Sequence, residues 1–134
     1  MKVVPDALDE LLEEARRASR SAYCPYSNFH VGAAILAGGR VFSGANVENA
    51  SYGLTICAER TAAFAAVLAG AGRFEAIAVA CVDAPEGSGP ELLMPCGACR
   101  QVLVEFADLN TPVIVDRVGR MTLADLLPMA FRLR

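Results

Sequence analysis

Two short stretches, Cys57-Ala58-Glu59 and Pro95-Cys96-Gly97-Ala98-Cys99, lie at the predicted starts of two helices and decide how the chain is interpreted. Three thiols can occupy three corners of a tetrahedral zinc site and leave the fourth corner to water. Glu59 follows the first thiol by two residues, where a carboxylate could move protons to and from that water. Because a structural zinc site normally has a fourth protein ligand, three thiols beside a carboxylate indicate catalysis.

Around these stretches, helical and strand patterns alternate along the chain. Hydrophobic periodicity and turn residues predict helices at 5–22, 58–68, 97–106 and 123–127, strands at 31–37, 41–45, 74–82, 112–115 and 120–122, and loops at 46–55 and 83–94. Gly38-Gly39 predicts a hairpin turn between the first two strands. Strands separated by helices favour crossover connections in one sheet with helices on both faces. We therefore predict an α/β protein, a three-layer α/β/α sandwich with a central mixed sheet of about five strands.

Size and composition restrict the possible classes of protein. The chain has 134 residues, of which 54% are hydrophobic and 20% charged, so we predict one compact catalytic domain over residues 1–134. Its formal net charge of −3 and the lack of a dense basic stripe argue against a long nucleic-acid partner. No apolar run approaches the roughly 18 residues of a membrane span. Residues 1–6 show no apolar region of a signal peptide, and we expect a cytoplasmic protein.

Five cysteines without a secretory signal argue against a disulfide framework. Three of the five belong to the two stretches quoted above. Cys81 lies in the apolar strand predicted at 74–82, where a buried free thiol is expected, and Cys24 follows the first helix. Neither of these two is expected to have a chemical role.

Positive charge is needed near such a zinc site, because three thiolates on one Zn²⁺ leave a net charge of −1. Arg60 and Arg100 each directly follow one of the two stretches and are candidates to offset that charge. We favour Arg60 as the residue that contacts the thiolates. The helix N-termini that follow Cys57 and Cys96 also favour thiolates.

The combination of Glu59 with three cysteines is typical of zinc deaminases, in which an activated water attacks an amidine-like carbon and ammonia leaves. Alone, Glu59 would be an ordinary first-turn glutamate stabilised by the helix dipole. A structural zinc site is the alternative, and it would need His30, the only histidine, as its fourth ligand. His30 is far in sequence from both cysteine stretches.

At this level of detail the sequence resembles the small homotetrameric cytidine deaminases over nearly its whole length. The resemblance is carried by Tyr26-Ser27 with Phe29, Val31–Ala34, Asn46–Tyr52, Cys57–Ala62, Pro95–Gln101, and Leu126–Pro128 with Phe131. It implies one Zn²⁺ per subunit, held by Cys57, Cys96 and Cys99, with Glu59 as the proton shuttle. It also implies hydrolytic deamination of cytidine and 2′-deoxycytidine in pyrimidine salvage.

The resemblance further implies how a small nucleoside substrate is bound. Asn46 and Glu48 would hydrogen-bond to the ribose hydroxyls, for which their polar groups are suited. Phe29 would pack on the pyrimidine, and the main chain of Ala58 would meet the edge of the base.

Two aromatic residues are implied to act across subunits. Tyr52 and Phe131 resemble the positions that reach into a neighbouring subunit's site, so that a homotetramer completes each pocket. The sequence departs from the family pattern at His30, where proline is frequent, and at Met94, where a small polar residue is usual. These departures bear on fine substrate preference and leave the type of reaction unchanged.

Three alternatives remain open from the sequence. A deaminase of a cytosine-containing antibiotic, such as blasticidin S, would share the zinc stretches, although the segment from Asn46 to Ala50 resembles the cytidine branch. A polynucleotide-editing deaminase is disfavoured by the acidic net charge. A non-catalytic binding module stapled by zinc would tolerate replacement of Glu59.

Overall fold

The computed structural model describes residues 5–133 of the chain. Residues 1–4, on which part of the expectation about a signal peptide rests, lie outside the described residues. The helices are α1 Pro5–Ala18, α2 Ala58–Leu68, α3 Pro90–Leu93, α4 Gly97–Phe106 and α5 Leu123–Leu126. The strands are β1 Val31–Ala37, β2 Arg40–Ala45, β3 Phe74–Cys81, β4 Pro112–Val115 and β5 Gly119–Thr122.

The five strands form one mixed sheet in the order β2-β1-β3-β4-β5. Only β3 and β4 pair in parallel, with Ile77 opposite Val113, and α3 and α4 lie in the connection between them. All other neighbouring strands are antiparallel. The predicted hairpin turn is present, since Gly38 and Gly39 both have positive φ angles, 58° and 74°. The predicted mixed sheet is confirmed.

Helices cover both faces of the sheet, as predicted for a three-layer sandwich. On one face, α1 packs four of its apolar side chains against short side chains of β1 and β3. These four residues of α1 are Leu8, Leu11, Leu12 and Ala15. On the other face, α2, α4 and α5 pack over a second cluster that includes Ile35, Ile77 and Val113. The cysteine stretches belong to this second layer.

Two glycines allow the helices to approach the sheet closely. A Cβ atom on Gly32 of β1 would lie 1.8 Å from Ala15 O of α1. A Cβ atom on Gly44 of β2 would lie 2.3 Å from Ala62 N of α2. Main-chain atoms occupy the space that a side chain would need, so the positions of α1 and α2 depend on these two glycines.

The structure differs from the sequence prediction mainly at element ends. The first helix was predicted to reach residue 22, but its α-helical part ends at Ala18 and a 3₁₀ turn follows at Ser19–Ser21. Ser19 Oγ donates to Arg16 O at 2.6 Å, a local side-chain bond of the kind that perturbs helix ends. The loop predicted at 83–94 contains α3, with Pro90 at its start, and a 3₁₀ turn at Tyr52–Leu54 interrupts the loop predicted at 46–55.

No helix within residues 5–133 is both long enough and apolar enough to span a bilayer. The longest helix of the described chain, α1, has 14 residues, whereas a span needs about 20. It also carries several charged side chains.

The close contact at Gly32 gives a test of the fold. Gly32→Ala should destabilise the protein by about 1–3 kcal/mol or more, because α1 must move away from β1 to make room for the methyl group. Denaturant unfolding measures the change. Gly53→Ala is the matched control, since a Cβ there has no neighbour within 4 Å. Equal stability of the two variants would contradict the packing described here.

Candidate zinc centre and active site

Two helix N-termini bring the three predicted cysteine ligands together. Cys57 and Cys96 are the residues immediately before α2 and α4, and both have extended main-chain conformations, with ψ of 158° and 168°. Cys99 is the third residue of α4, so the C-x-x-C spacing places it in the first turn, beside the residue that precedes the helix. Because α2 packs against α4, the three side chains meet.

The distances between the three sulfur atoms suit a tetrahedral metal ion. All three Sγ atoms lie within 4.8 Å of one another, and those of Cys57 and Cys96 are 3.9 Å apart. Two sulfurs bound to one Zn²⁺ with normal Zn–S bonds are about 3.8 Å apart. Cys99 is buried and Cys96 is exposed, so the cluster lies at the surface end of a buried layer. The donor set therefore fits zinc.

The electrostatics of the cluster also favour a cation. Hydrogen bonding from the Cys99 thiol, followed by that from Arg60, lowers the pKa of Cys57 to about 5 against the opposing effect of burial. The pKa of Cys99 is raised, chiefly by its interaction with the Cys57 sulfur and by burial. Two adjacent thiolates repel each other, and a divalent cation between them removes that repulsion.

The two candidate arginines have different partners. Arg60 Nη2 lies 3.4 Å from Cys57 Sγ and donates to it, and this contact raises the pKa of Arg60. Arg100 donates through Nε to Pro95 O at 2.8 Å and through Nη1 to Leu126 O at 2.7 Å. Arg60 is thus placed to offset the charge of the thiolates, while Arg100 binds the main chain on either side of the site.

Glu59, the predicted proton shuttle, is the second residue of α2 and only 4% exposed. Burial raises the pKa of Glu59 to about 7, and the negative charge of Cys57 adds to this effect while Arg60 opposes it. A carboxyl group with such a pKa exists in both protonation states near neutral pH, which is the property that a general acid and base requires.

The predicted sugar-binding residues lie on a segment that is paired to the chain just before Cys57. Val47 N donates to Ile56 O and Ile56 N donates to Val47 O, both at 2.9 Å. Asn46 and Glu48 flank Val47 in this extended segment, so their side chains lie on the same side of it. The antiparallel main-chain pairing therefore places Asn46 opposite Cys57 and Glu48 opposite Thr55.

The side chain of Asn46 makes two hydrogen bonds within the chain that the sequence did not indicate. Its side chain is buried, donates through Nδ2 to Phe29 O at 2.8 Å and accepts from Val31 N at 2.9 Å through Oδ1. The amide therefore holds the main chain on both sides of His30 and positions Phe29. One N–H and one lone pair of this amide remain for a ligand.

Glu48 is also anchored by the N-terminal part of the domain. Its carboxylate accepts from the main-chain N atoms of Tyr26 and Ser27 at 3.1 and 3.2 Å, and from the Ser27 hydroxyl. The bond from that hydroxyl is the main reason why the pKa of Glu48 is lowered. The charged side chain keeps further acceptor capacity for a ligand hydroxyl.

The remaining predicted residues differ in exposure. Ala58 is fully buried as the first residue of α2, where the helix leaves its first N–H groups without helical partners. Tyr52 and Phe131 are 80% and 70% exposed. Tyr52 borders a groove of about 400 Å³ that is lined by Tyr26, Ser27, Glu48, Asn49, Tyr52 and Thr55.

His30 has a partner that the sequence analysis missed. Its main-chain N and its Nδ1 both lie close to Asp83 Oδ2, at 2.8 and 2.6 Å. Within residues 5–133, the only cluster able to hold a metal consists of the three cysteines, without His30. The alternative of a structural site with His30 as its fourth ligand therefore has no support in this geometry. The sequence contained one indication of the contact between His30 and Asp83, namely an aspartate directly after the strand predicted at 74–82.

The sequence profile described as "Cytidine and deoxycytidylate deaminase zinc-binding region" matches residues 5–115 of the chain. The chain belongs to the cytidine and deoxycytidylate deaminase family. This deaminase family consists of zinc enzymes, and the protein is accordingly a hydrolase with zinc as its cofactor. The family resemblance, the enzyme class and the zinc cofactor expected from the sequence are confirmed by this match and by the cysteine cluster.

Individual relatives within the deaminase family cover most of the chain. The cytidine deaminase of Sporosarcina psychrophila is 44% identical over 129 residues, 92% of this chain and 90% of that protein. The cytidine deaminase of Mycobacterium tuberculosis H37Rv is 50% identical over 121 residues, 89% of this chain and 85% of that protein. A crystal structure of cytidine deaminase from M. tuberculosis matches with a TM-score of 0.83 at 45% identity, covering 98% of this chain and all of that one (100%).

The cluster geometry predicts which thiols retain zinc. Cys99→Ser should weaken zinc retention by more than the roughly 10- to 100-fold that outer-shell changes cost, because it removes one of three protein ligands. Zinc content after dialysis against a chelator of graded concentration measures this loss. Cys81→Ser is the matched control, since Cys81 is a buried thiol outside the cluster and its replacement should leave zinc bound. Equal zinc retention in the two variants would contradict the assignment.

Proposed function

We propose that the protein hydrolyses the exocyclic amino group of cytidine and 2′-deoxycytidine, giving uridine or 2′-deoxyuridine and ammonia. The observation that carries this proposal is the buried carboxyl group of Glu59 next to the three-cysteine cluster. The similarity to named cytidine deaminases over most of the chain supports the choice of substrate. The proposed activity belongs to pyrimidine salvage.

In the proposed mechanism, Glu59 transfers protons, and the metal is held by Cys57, Cys96 and Cys99. Bound zinc supplies a Lewis acid that lowers the pKa of water toward neutrality. Glu59 accepts a proton from the attacking water and delivers protons to the ring nitrogen and to the amino group. A C–O bond forms, the C–N bond breaks and ammonia leaves, so no oxidant or reductant is required.

The proposed nucleoside site uses the anchored residues around the zinc ligands. Asn46 and Glu48 bind the ribose hydroxyls with the hydrogen-bonding capacity left by their contacts within the chain. Phe29, held at its carbonyl by Asn46, packs on the pyrimidine. The main-chain N–H of Ala58, at the start of α2, meets the edge of the base.

We further propose a homotetramer in which Tyr52 and Phe131 complete the pocket of a neighbouring subunit. Exposure of such large aromatic groups is unusual for a free surface, and several other large apolar side chains are also exposed, including Leu54, Leu68, Met129 and Leu133. The groove beside Glu48 is open in the single chain. The proposed enzyme is one catalytic domain and acts in the cytoplasm.

The role of Glu59 is tested by Glu59→Gln, which keeps the volume of the side chain and removes its acid–base function. We expect the turnover of cytidine to fall by about 10²- to 10⁴-fold while zinc content stays unchanged. Glu75→Gln is the matched control. Glu75 is a partly buried carboxylate on β3, away from α2, and it accepts from Gly38 N in the turn between β1 and β2. Normal turnover in Glu59→Gln would refute the proposed role of Glu59, whereas zinc-dependent folding without any cytidine turnover by the unmodified protein would favour a zinc-stapled binding module.

Substrate class is tested with the unmodified enzyme. Release of ammonia is compared for cytidine, 2′-deoxycytidine, blasticidin S and a cytosine-containing oligonucleotide at equal cytosine concentration. We expect release from the two nucleosides. Release from blasticidin S or the oligonucleotide without release from cytidine would overturn the proposed substrate.

Pocket sharing is tested by combining a subunit that lacks Glu59 with a subunit whose substrate binding is weakened. Co-expression of Glu59→Gln and Phe131→Ala chains should restore part of the activity, since a pocket with an intact Glu59 can then receive Phe131 from its neighbour. Each variant expressed alone is the control, and light scattering gives the number of subunits. A protein that is monomeric, or a mixture no more active than the Phe131→Ala chain alone, would disprove shared pockets.

A further inference from the structure

Two adjacent residues of the zinc-binding helix hold the C-terminal segment, residues 127–133. Arg100 and Gln101 directly follow the ligand Cys99 on α4. Arg100 Nη1 donates to Leu126 O at 2.7 Å, where α5 ends and the segment begins. Gln101 Nε2 donates to Phe131 O at 3.0 Å, five residues after Leu126. The segment is therefore bound near both of its ends by consecutive side chains of one helix.

The C-terminal segment needs such anchors because it has no regular secondary structure. Met129 has a positive φ of 52°, and its side chain is fully exposed. Leu127 and Ala130 pack against the main core, but Phe131 projects into solvent. In the absence of a helix or strand ladder, side-chain bonds to its carbonyl groups determine where Phe131 lies.

Arg100 joins this segment to the loop that leads into the two zinc ligands Cys96 and Cys99. Its Nε donates to Pro95 O at 2.8 Å, one residue before Cys96. Both of its bonds are partly buried, and bonds from a guanidinium are stronger than those between neutral groups. A lysine at this position has a single ammonium group on a flexible stem and cannot reproduce the planar fork.

We propose that Arg100 and Gln101 are positioning residues that fix Phe131 on the surface of its own subunit, for its role in the substrate pocket of a neighbouring subunit. The inference deepens the proposed function, on which it rests for the assignment of Phe131 to a substrate pocket. Since neither side chain contacts the cysteine sulfurs through the bonds described, they act through the main chain of residues 126 and 131. A shift of Phe131 weakens substrate binding and leaves the chemical step intact.

Kinetics of Gln101→Ala and Arg100→Lys test this role. Each variant should raise the KM for cytidine roughly 3- to 10-fold, the range expected for the loss of one hydrogen bond, with kcat little changed. In a Phe131→Ala background, Gln101→Ala should raise KM no further, because there is no longer an aromatic ring to position. An unchanged KM, or an equal increase in both backgrounds, would overturn the proposal.

Arg117→Lys is the matched control for Arg100→Lys. Arg117 likewise donates to main-chain oxygens, those of Ala84 and Cys81 at 3.0 and 2.8 Å and that of Pro85 at 3.4 Å. The substitution Arg117→Lys should lower the melting temperature. It should leave the KM within about twofold of the unmodified value, which is less than the effect of losing one hydrogen bond. A KM increase in Arg117→Lys equal to that in Arg100→Lys would show that general loosening is the cause.

A second readout is independent of activity. The chain contains three tyrosines but no tryptophan, so Phe131→Trp introduces a single tryptophan, whose fluorescence is excited selectively, at the proposed position. Adding Gln101→Ala should lower its fluorescence anisotropy and speed its quenching by acrylamide, because residue 131 loses its anchor. Unchanged fluorescence would refute the positioning role. Absence of cytidine turnover in the unmodified enzyme would instead refute the proposed function, so the two failures can be told apart.

Discussion

Electrostatic repulsion among three sulfur atoms is the constraint on which the site depends. Within 4.8 Å of one another, these sulfurs cannot all be ionised unless positive charge lies close to them. The protein supplies part of that charge through the N-terminal ends of α2 and α4 and through Arg60. A zinc ion supplies the rest. The same low-polarity surroundings keep Glu59 protonated over a wider pH range, which suits a group that must both accept and donate protons.

The architecture serves this constraint by holding two helix starts side by side. The parallel pairing of β3 and β4 requires a crossover, and α4 is the helix that makes it. The close approach of α2 to β2 at Gly44 brings Cys57 to the same end of the layer. Next to it, the antiparallel pairing of Val47 with Ile56 brings Asn46 opposite Cys57 and Glu48 opposite Thr55. Rigid main-chain contacts therefore connect the metal ligands with the predicted sugar-binding residues.

In the single chain, the metal-binding half of the site is assembled and its outer half is open to solvent. Cys99 and Glu59 are buried, whereas Phe131 is exposed, as is Tyr52, which borders the groove next to Glu48. Arg100 and Gln101 link these halves, because they extend from the zinc-binding helix to the segment that carries Phe131. In the proposed tetramer, α4 would thus hold two zinc ligands of its own subunit and also position an aromatic ring for the pocket of a neighbour.

Local spacing in the sequence predicted the elements, the mixed three-layer fold and the zinc cluster of Cys57, Cys96 and Cys99, with Glu59 beside it. Periodicity and helix-end patterns act over a few residues, so a single sequence reveals them. Only the tertiary structure decided that Asn46 holds the main chain around His30, that His30 pairs with Asp83 and that Arg100 bridges two carbonyl groups. Main-chain carbonyl and N–H groups are the same in every residue, and most of these partners lie far apart in the chain. No pattern of residue types could therefore specify which of those groups would meet.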